Sequence, residues 1–307
     1  MANFYGQYVG FGAGGAATPY VFQGESYGYA MGGSGGNVKD KFSFSSGTQH
    51  AADADDLSVA RNSFAGQRSS TNGYASGGSN TDVIDYFPFA SDGNSLDVGN
   101  LTFSRNQSGD SSSSTHGYTH GGQDGGTSGG NTCDQFAFAS HGDATDVGDT
   151  QQSRYGLHGN SSDTHAYAAG GTWTGHSNNL HIIEKVPFAS NGNLTDVGDM
   201  TTSRGDRCSG NSSLTYGYHS CGHAGSGYTN VIDKHSFSSD GAATDVGDCL
   251  TLKLGQAGSS STEYAYWSGG SNTGGDTIEK NSFESQGNSV DVGNLTVSVY
   301  PRAGTQN

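Results

Sequence analysis

The five residues TDVGD stand at 145–149, again at 195–199 and again at 244–248. SLDVGN (95–100) and SVDVGN (289–294) are near-copies, and ADADD (52–56) reads as a worn sixth. A phrase written six times at a spacing of about 49 residues constrains the fold more than any other feature of the chain. A unit of that length cannot bury both faces of a sheet by itself, so it must stack on its neighbours. Two further blocks recur in step with it. One is a Gly–Tyr block ending in glycine: GYAMGG (28–33), GYASGG (73–78), GYTHGG (117–122), AYAAGG (166–171), GYHSCG (217–222) and AYWSGG (265–270). The other alternates acidic and apolar residues: DKFSF (40–44), DYFPF (85–89), DQFAF (134–138), EKVPF (184–188), DKHSF (233–237) and EKNSF (279–283).

Each block carries the period of a strand. In IDYFPFAS, Ile84, Tyr86, Pro88 and Ala90 face one way and Asp85, Phe87, Phe89 and Ser91 the other. Apolar residues on both faces indicate a sheet packed between two other sheets. SDGNSLD, SNGNLTD and SDGAATD supply the Asp-Gly and Asn-Gly pairs of tight turns before the DVG strand. The glycine inside that strand marks a bulge or a close backbone approach. Each repeat is therefore a meander of at least three strands. The stretch between the arginine and the Gly–Tyr block, as in RNQSGDSSSSTHGY, has room for a short fourth. Six such units favour a closed ring, because closure hides the end faces. The chain enters at a Gly–Tyr block and leaves after a DVG strand. The expected closure is a clasp, in which the N-terminal strand completes a blade begun by the C-terminal strands.

Tyr-x-x-Gly-Gly, an alternating strand, then a turn and a strand ending in arginine resembles the kelch repeat of β-propellers. Arg61, Arg105, Arg154 and Arg204, with Lys253 in the fifth repeat, match that pattern. The kelch tryptophan is missing and the DVG block stands in its place, so the class is divergent. The resemblance covers about residues 23–299 and implies an all-β, six-bladed, kelch-like propeller of about 49 residues per blade. Residues 1–22 would be an aromatic/Gly docking segment or closing strand, and 300–307 a C-terminal tail. The wording of the repeats is also similar to that of structural proteins of marine tailed phages, cyanophages among them. That likeness implies a virion component (tail, fibre or capsid surface) made in the host cytoplasm.

Composition narrows the partners. Apolar residues make up 31% and glycines number 52, a balance that suggests disorder until the 14 Phe and 16 Tyr are counted. The net charge is −16 with 13 basic residues, so nucleic acid is not an expected partner. No apolar run is long enough for a membrane helix. MANFYGQYVGFGAGG lacks the basic and apolar regions of a secretory signal. Cys133 and Cys249 stand where sister repeats carry Ile or Leu and Met, so both read as core. Cys208 and Cys221 fall in one repeat, either as a disulfide or as two free thiols.

Chemistry is thinly written. Asp92, Asp97, Asp196 and Asp199 are oxygen donors at close spacing and the calcium candidates, but the EF-hand pattern is absent. The structural reading is that Asp97, Asp146, Asp196, Asp245 and Asp291 cap turn amides or meet the repeat arginines. Gly99, Gly148, Gly198, Gly247 and Gly293 then permit the bulge. His116 and His165 alternate with Tyr27, Asn72, Tyr216 and Tyr264 at one repeat position, which reads as strand side chains near the hub. No hydrolase, zinc or phosphate-loop motif is present, and no catalytic residue or cofactor is expected. A copper-radical oxidase of galactose-oxidase type is the enzymatic alternative, since some kelch propellers are such oxidases. Function on a repeat scaffold belongs where repeats diverge. The loops after the glycine pairs differ in length and carry Trp173, His176 and Tyr228, with Trp267 nearby. These are the candidates for gripping a protein or a host-surface glycan, in a virion-borne, extracellular or cell-surface adhesin. Phe4, Tyr5, Tyr8 and Phe11 are the candidates for docking on another virion protein or another copy of the chain. The leading expectation is a non-enzymatic structural or attachment protein.

Overall fold

In the computed structural model, residues 22–125, 130–174, 179–225, 227–271, 275–298, 300 and 302–307 are described. They form six four-stranded antiparallel sheets set as blades around an axis, a six-bladed β-propeller. The second blade shows the order: Ala65–Arg68 innermost, then Asn72–Ser76, Val83–Pro88 and, outermost, Leu96–Asn100. The Gly–Tyr block is thus the second strand, the acidic–apolar block the third and the DVG block the outer one. The Ser-rich stretch is the inner strand, and each inner strand touches the inner strands of both neighbouring blades. Among the described residues no helix is long and apolar enough to cross a membrane.

The clasp exists with the two ends exchanged. Tyr27–Gly33, Gly36–Ser43 and Ala52–Asp56 supply three strands of the first blade, and the C-terminal Ala303–Gln306 is its inner strand. The segment 300–307, expected as a tail, therefore closes the ring. The docking candidates Phe4, Tyr5, Tyr8 and Phe11 lie outside the described residues.

Each repeat residue has a neighbour in the next blade. The tyrosine of every Gly–Tyr block packs its ring against the last phenylalanine of the following third strand. The pairs are Tyr29–Phe89, Tyr74–Phe138, Tyr118–Phe188, Tyr167–Phe237, Tyr218–Phe283 and, across the closure, Tyr266–Phe44. Their ring centroids are between 4.7 Å (Tyr74–Phe138) and 5.4 Å (Tyr29–Phe89) apart, and such pairs contribute about 0.5–1.5 kcal/mol each beyond area burial. The glycine before the tyrosine answers to the residue paired with it on the third strand. Gly28, Gly73 and Gly117 lie under the rings of Phe42, Phe87 and Phe136, and Gly217 lies under His235. Where the third strand carries the smaller Val186 or Asn281, the glycine becomes Ala166 or Ala265.

The hub is polar. Thr305, Gln67, Ser111, Asn160, Asn211 and Ser259 occupy one inner-strand position, and each donates to a main-chain carbonyl of the next blade. That circle of side-chain bonds runs once round the axis and accounts for the Ser- and Asn-rich composition of these segments.

The DVG block is an interblade clamp. Asp97 accepts a hydrogen bond from the Gly99 amide at 3.2 Å, and Asp146, Asp196, Asp245 and Asp291 do the same for Gly148, Gly198, Gly247 and Gly293. The strand shifts register beside this cap, as between Ile84 and Asp85. The next blade's turn then docks on it, with the Gly142 amide donating to the Val98 carbonyl at 2.8 Å. A Cβ on Gly99 would overlap the Gly142 carbonyl, and Gly148, Gly198 and Gly247 stand against Gly192, Gly241 and Gly287 in the same way.

The arginines meet a different partner from the one expected. Arg61 pairs with Asp85, Arg105 with Asp134, Arg154 with Glu184, Arg204 with Asp233 and Lys253 with Glu279, all buried. The partner is the acid that opens the third strand, while the DVG aspartates serve as caps. Arg302, paired with Asp40, is the sixth basic residue. All four cysteines are buried and free, so Cys208 and Cys221 are not bridged. Cys133 and Cys249 take core positions.

Candidate functional site

The antiparallel order puts the loops after the glycine pairs on one face of the ring. The turns after the inner and third strands lie on the other. On the loop face, Trp173 ends the second strand of the fourth blade and is partly buried. Tyr228, 43% exposed, pairs across a two-residue ladder with His223 and meets its ring edge-on at 5.8 Å. Asn179 donates to the His223 carbonyl at 2.6 Å and ties the fourth blade's loop to the fifth's. His176 lies outside the described residues. Trp267 does not belong to this group. It is 0% exposed, inside the cluster with Tyr218, Cys221 and Cys249. Its sister residues Ala30, Ala75 and Ala168 are buried too, so the repeat alignment held the signal that it is core.

A wide concavity lies on the opposite face. A cleft of about 450 Å³ opens between the third and fourth blades, within the usual span for small-molecule sites. Its walls include His116 and Asp163 from the two inner turns, Phe188 and Asn191 from the fourth blade, and Tyr118 and Gln135 from the third. At three other joints the residue equivalent to Gln135 closes the gap, whereas Lys234 and Lys280 lie over the rings of Tyr216 and Tyr264 in their own blades. Lys41 pairs with Asp92 at 3.0 Å, Tyr86 lies on His141 at 4.7 Å, and Lys185 pairs with Asp240 at 2.5 Å. Here two neutral amides face each other: Asn191 Nδ2 donates to Gln135 Oε1 at 3.4 Å. Gln135 Nε2 also donates to the Tyr118 hydroxyl at 2.7 Å. The long amide contact spans the joint loosely, where three sister joints are closed by an ion pair or a ring contact.

Burial lowers the pKa of His116 below the usual imidazole range, so it is neutral at neutral pH. Its Nδ1 stands 2.8 Å from the Thr115 hydroxyl. The sequence placed His116 and His165 near the hub, but both stand at the start of the second strand by the turn, half-buried. The sequence signal for the cleft was Gln135, where sisters carry Lys or Tyr, set opposite Asn191, where sisters carry Asp92, His141, Asp240 or Gln286.

The buried histidines are others. His158 Nε2 lies 2.6 Å from His219 Nδ1, and His219 Nε2 lies 2.8 Å from His235 Nδ1. Three imidazoles thus bond in series from the inner strand of the fourth blade to the third strand of the fifth. Burial pushes His158, His235 and the separate His120 down to about 3, and His219 well below its ordinary value.

The calcium candidates are engaged elsewhere. Asp92 pairs with Lys41, Asp97 and Asp196 cap glycine amides, and Asp199 stands 3.3 Å from His181. Among the described residues no three His, Cys, Asp or Glu side chains are grouped to hold a metal ion. The chain matches no protein-family model and no curated protein.

Proposed function

We propose that the protein is a non-enzymatic attachment module that takes a neutral glycan in the cleft between its third and fourth blades. The observation that carries this reading is the unclosed joint at Gln135 and Asn191. Each amide offers a donor and an acceptor at once, the pattern that adjacent sugar hydroxyls satisfy. Tyr118, Asp163 and neutral His116 add polar groups, and the Phe188 ring supplies apolar surface. A cleft of this kind selects by hydrogen-bond geometry and suits an uncharged ligand. The likeness of the repeat wording to structural proteins of marine tailed phages supports a virion-surface setting in several copies.

Glycan-array binding is the test. Gln135→Lys installs the lysine of sister blades and is expected to lower affinity for a bound glycan at least tenfold, with no change in unfolding temperature. Trp173→Ala, on the opposite face, is expected to leave binding unchanged. Loss with Trp173→Ala and retention with Gln135→Lys would move the site to the loop face. No binding by the intact protein would leave it a purely architectural role.

A further inference from the structure

Five inner strands carry glycine at one level of the axis: Gly66, Gly159, Gly210, Gly258 and Gly304. The third blade carries Asp110 there, paired to Thr119 as Gly66 is to Ala75. The glycines are required by close approach. A Cβ on Gly66 would overlap the Gly304 carbonyl, one on Gly304 that of Gly258, and one on Gly159 that of Asp110. The ring therefore admits one side chain at this level, and it is a carboxylate.

Asp110 borders an axial cavity of about 60 Å³, room for a few water-sized occupants. The turn-face end of the axis is strapped by the chain itself. Arg68 donates to the carbonyls of Phe22 at 2.9 Å and Gln23 at 2.7 Å, and the Gly24 amide donates to Ser260. Arg302 also borders the cavity, but its guanidinium is held by Asp40 at 2.8 Å. Asp110 itself is half-buried and is in no ion pair among the described residues, and burial pushes its carboxyl up to about 7. The same cavity is bordered by Ser209 and Gln256, each only 4% exposed. The Ser209 hydroxyl and both amide atoms of Gln256 have no hydrogen-bond partner among the described residues. Asp110 brings a partly buried carboxylate, and the Ser209 hydroxyl oxygen and the Gln256 amide oxygen are buried without partners; one cation would satisfy all three oxygen donors.

We propose that the axial cavity binds one monovalent cation, held on the Asp110 carboxylate with Ser209 and the Gln256 amide oxygen as neutral ligands. The charge count selects the class. One carboxylate balances a single positive charge, whereas a divalent ion would leave an uncompensated charge among neutral oxygens.

The test is thermal unfolding of the full chain in sodium, potassium and tetramethylammonium chloride at equal ionic strength. The organic cation screens charge equally but is too bulky for the cavity. In the sodium or the potassium salt the midpoint is expected to lie roughly 3 °C or more above that in tetramethylammonium, and Asp110→Asn is expected to abolish the difference. The more stabilising of the two metals is the occupant. Equal midpoints in all three salts, or a difference that survives in Asp110→Asn, would overturn the proposal. Should Asp110→Asn fail to fold, Asp110→Gly, with the residue of the other five blades, gives the same reading.

Discussion

Replacing Arg204 by methionine is expected to destabilise the propeller by about 3–5 kcal/mol. The guanidinium lies 2.7 Å from Asp233 Oδ2, with both side chains 0% exposed. It also donates to the His219 carbonyl at 2.9 Å, so it joins the first residues of the fifth blade to its second and third strands. Methionine fills much of the volume but leaves the Asp233 carboxylate buried with the Thr201 hydroxyl and amide as its remaining partners. The cost is that of an uncompensated buried charge, not of a lost contact. Arg204→Met combined with Asp233→Leu is therefore expected to recover most of the loss, because the charge that had to be balanced is gone. Urea unfolding of the two single variants and the double variant measures this. A single variant within about 1 kcal/mol of the parent would show that the pair is not what ties these strands.

Acid is expected to unfold the protein steeply below about pH 6. His120, His158, His219 and His235 are buried, and burial holds each in its neutral form. Their folded pKa values lie below the unfolded value of about 6.5. Between that value and about 3 the unfolded chain binds protons that the folded chain refuses, so stability is present above pH 6.5 and lost as pH falls. Each such histidine contributes a slope of about 1.4 kcal/mol per pH unit. Asp110 works the other way: with a folded value of about 7 it binds its proton earlier in the folded chain, offsetting one histidine. The net slope is about 4 kcal/mol per pH unit, enough to exhaust a typical stability within about two to three units. The repeats supply the control. His158→Ala, His219→Ala and His235→Phe install the residues of sister blades, seen at Ala65, Ala75 and Phe87. The triple variant is expected to flatten the acid limb to about 1 kcal/mol per pH unit or less. Denaturant titrations from pH 8 to pH 4 read both slopes, and a triple variant as acid-labile as the parent would place the titrating groups elsewhere.

Much of this was legible beforehand, because a repeat is an alignment of the chain with itself. Strand periods, turn pairs and the spacing of about 49 residues point to stacked antiparallel units, and the phase of the blocks pointed to a clasp. The same alignment holds two further signals. Arg302 follows Lys253 at the repeat spacing and completes the basic set, and the alanines beside Trp267 in sister repeats mark it as core. The ends of the clasp are the reverse of what the sequence pattern predicts, since a four-residue inner strand such as Ala303–Gln306 has too little pattern to stand out.

The sequence by itself determined the unit, its number and the face each strand residue takes, because those follow from local period and from the need to bury a two-faced sheet. Tertiary structure decided which residue of one unit meets which of the next. TDVGD became a clamp on the neighbouring turn, the arginines found the third-strand acids, and three histidines fell into series. It also opened one joint where Gln135 faces Asn191 and placed a lone carboxylate on the axis. Each of these lies between units, where partners far apart in the chain are brought together by closure of the ring, and no period within one repeat encodes that pairing.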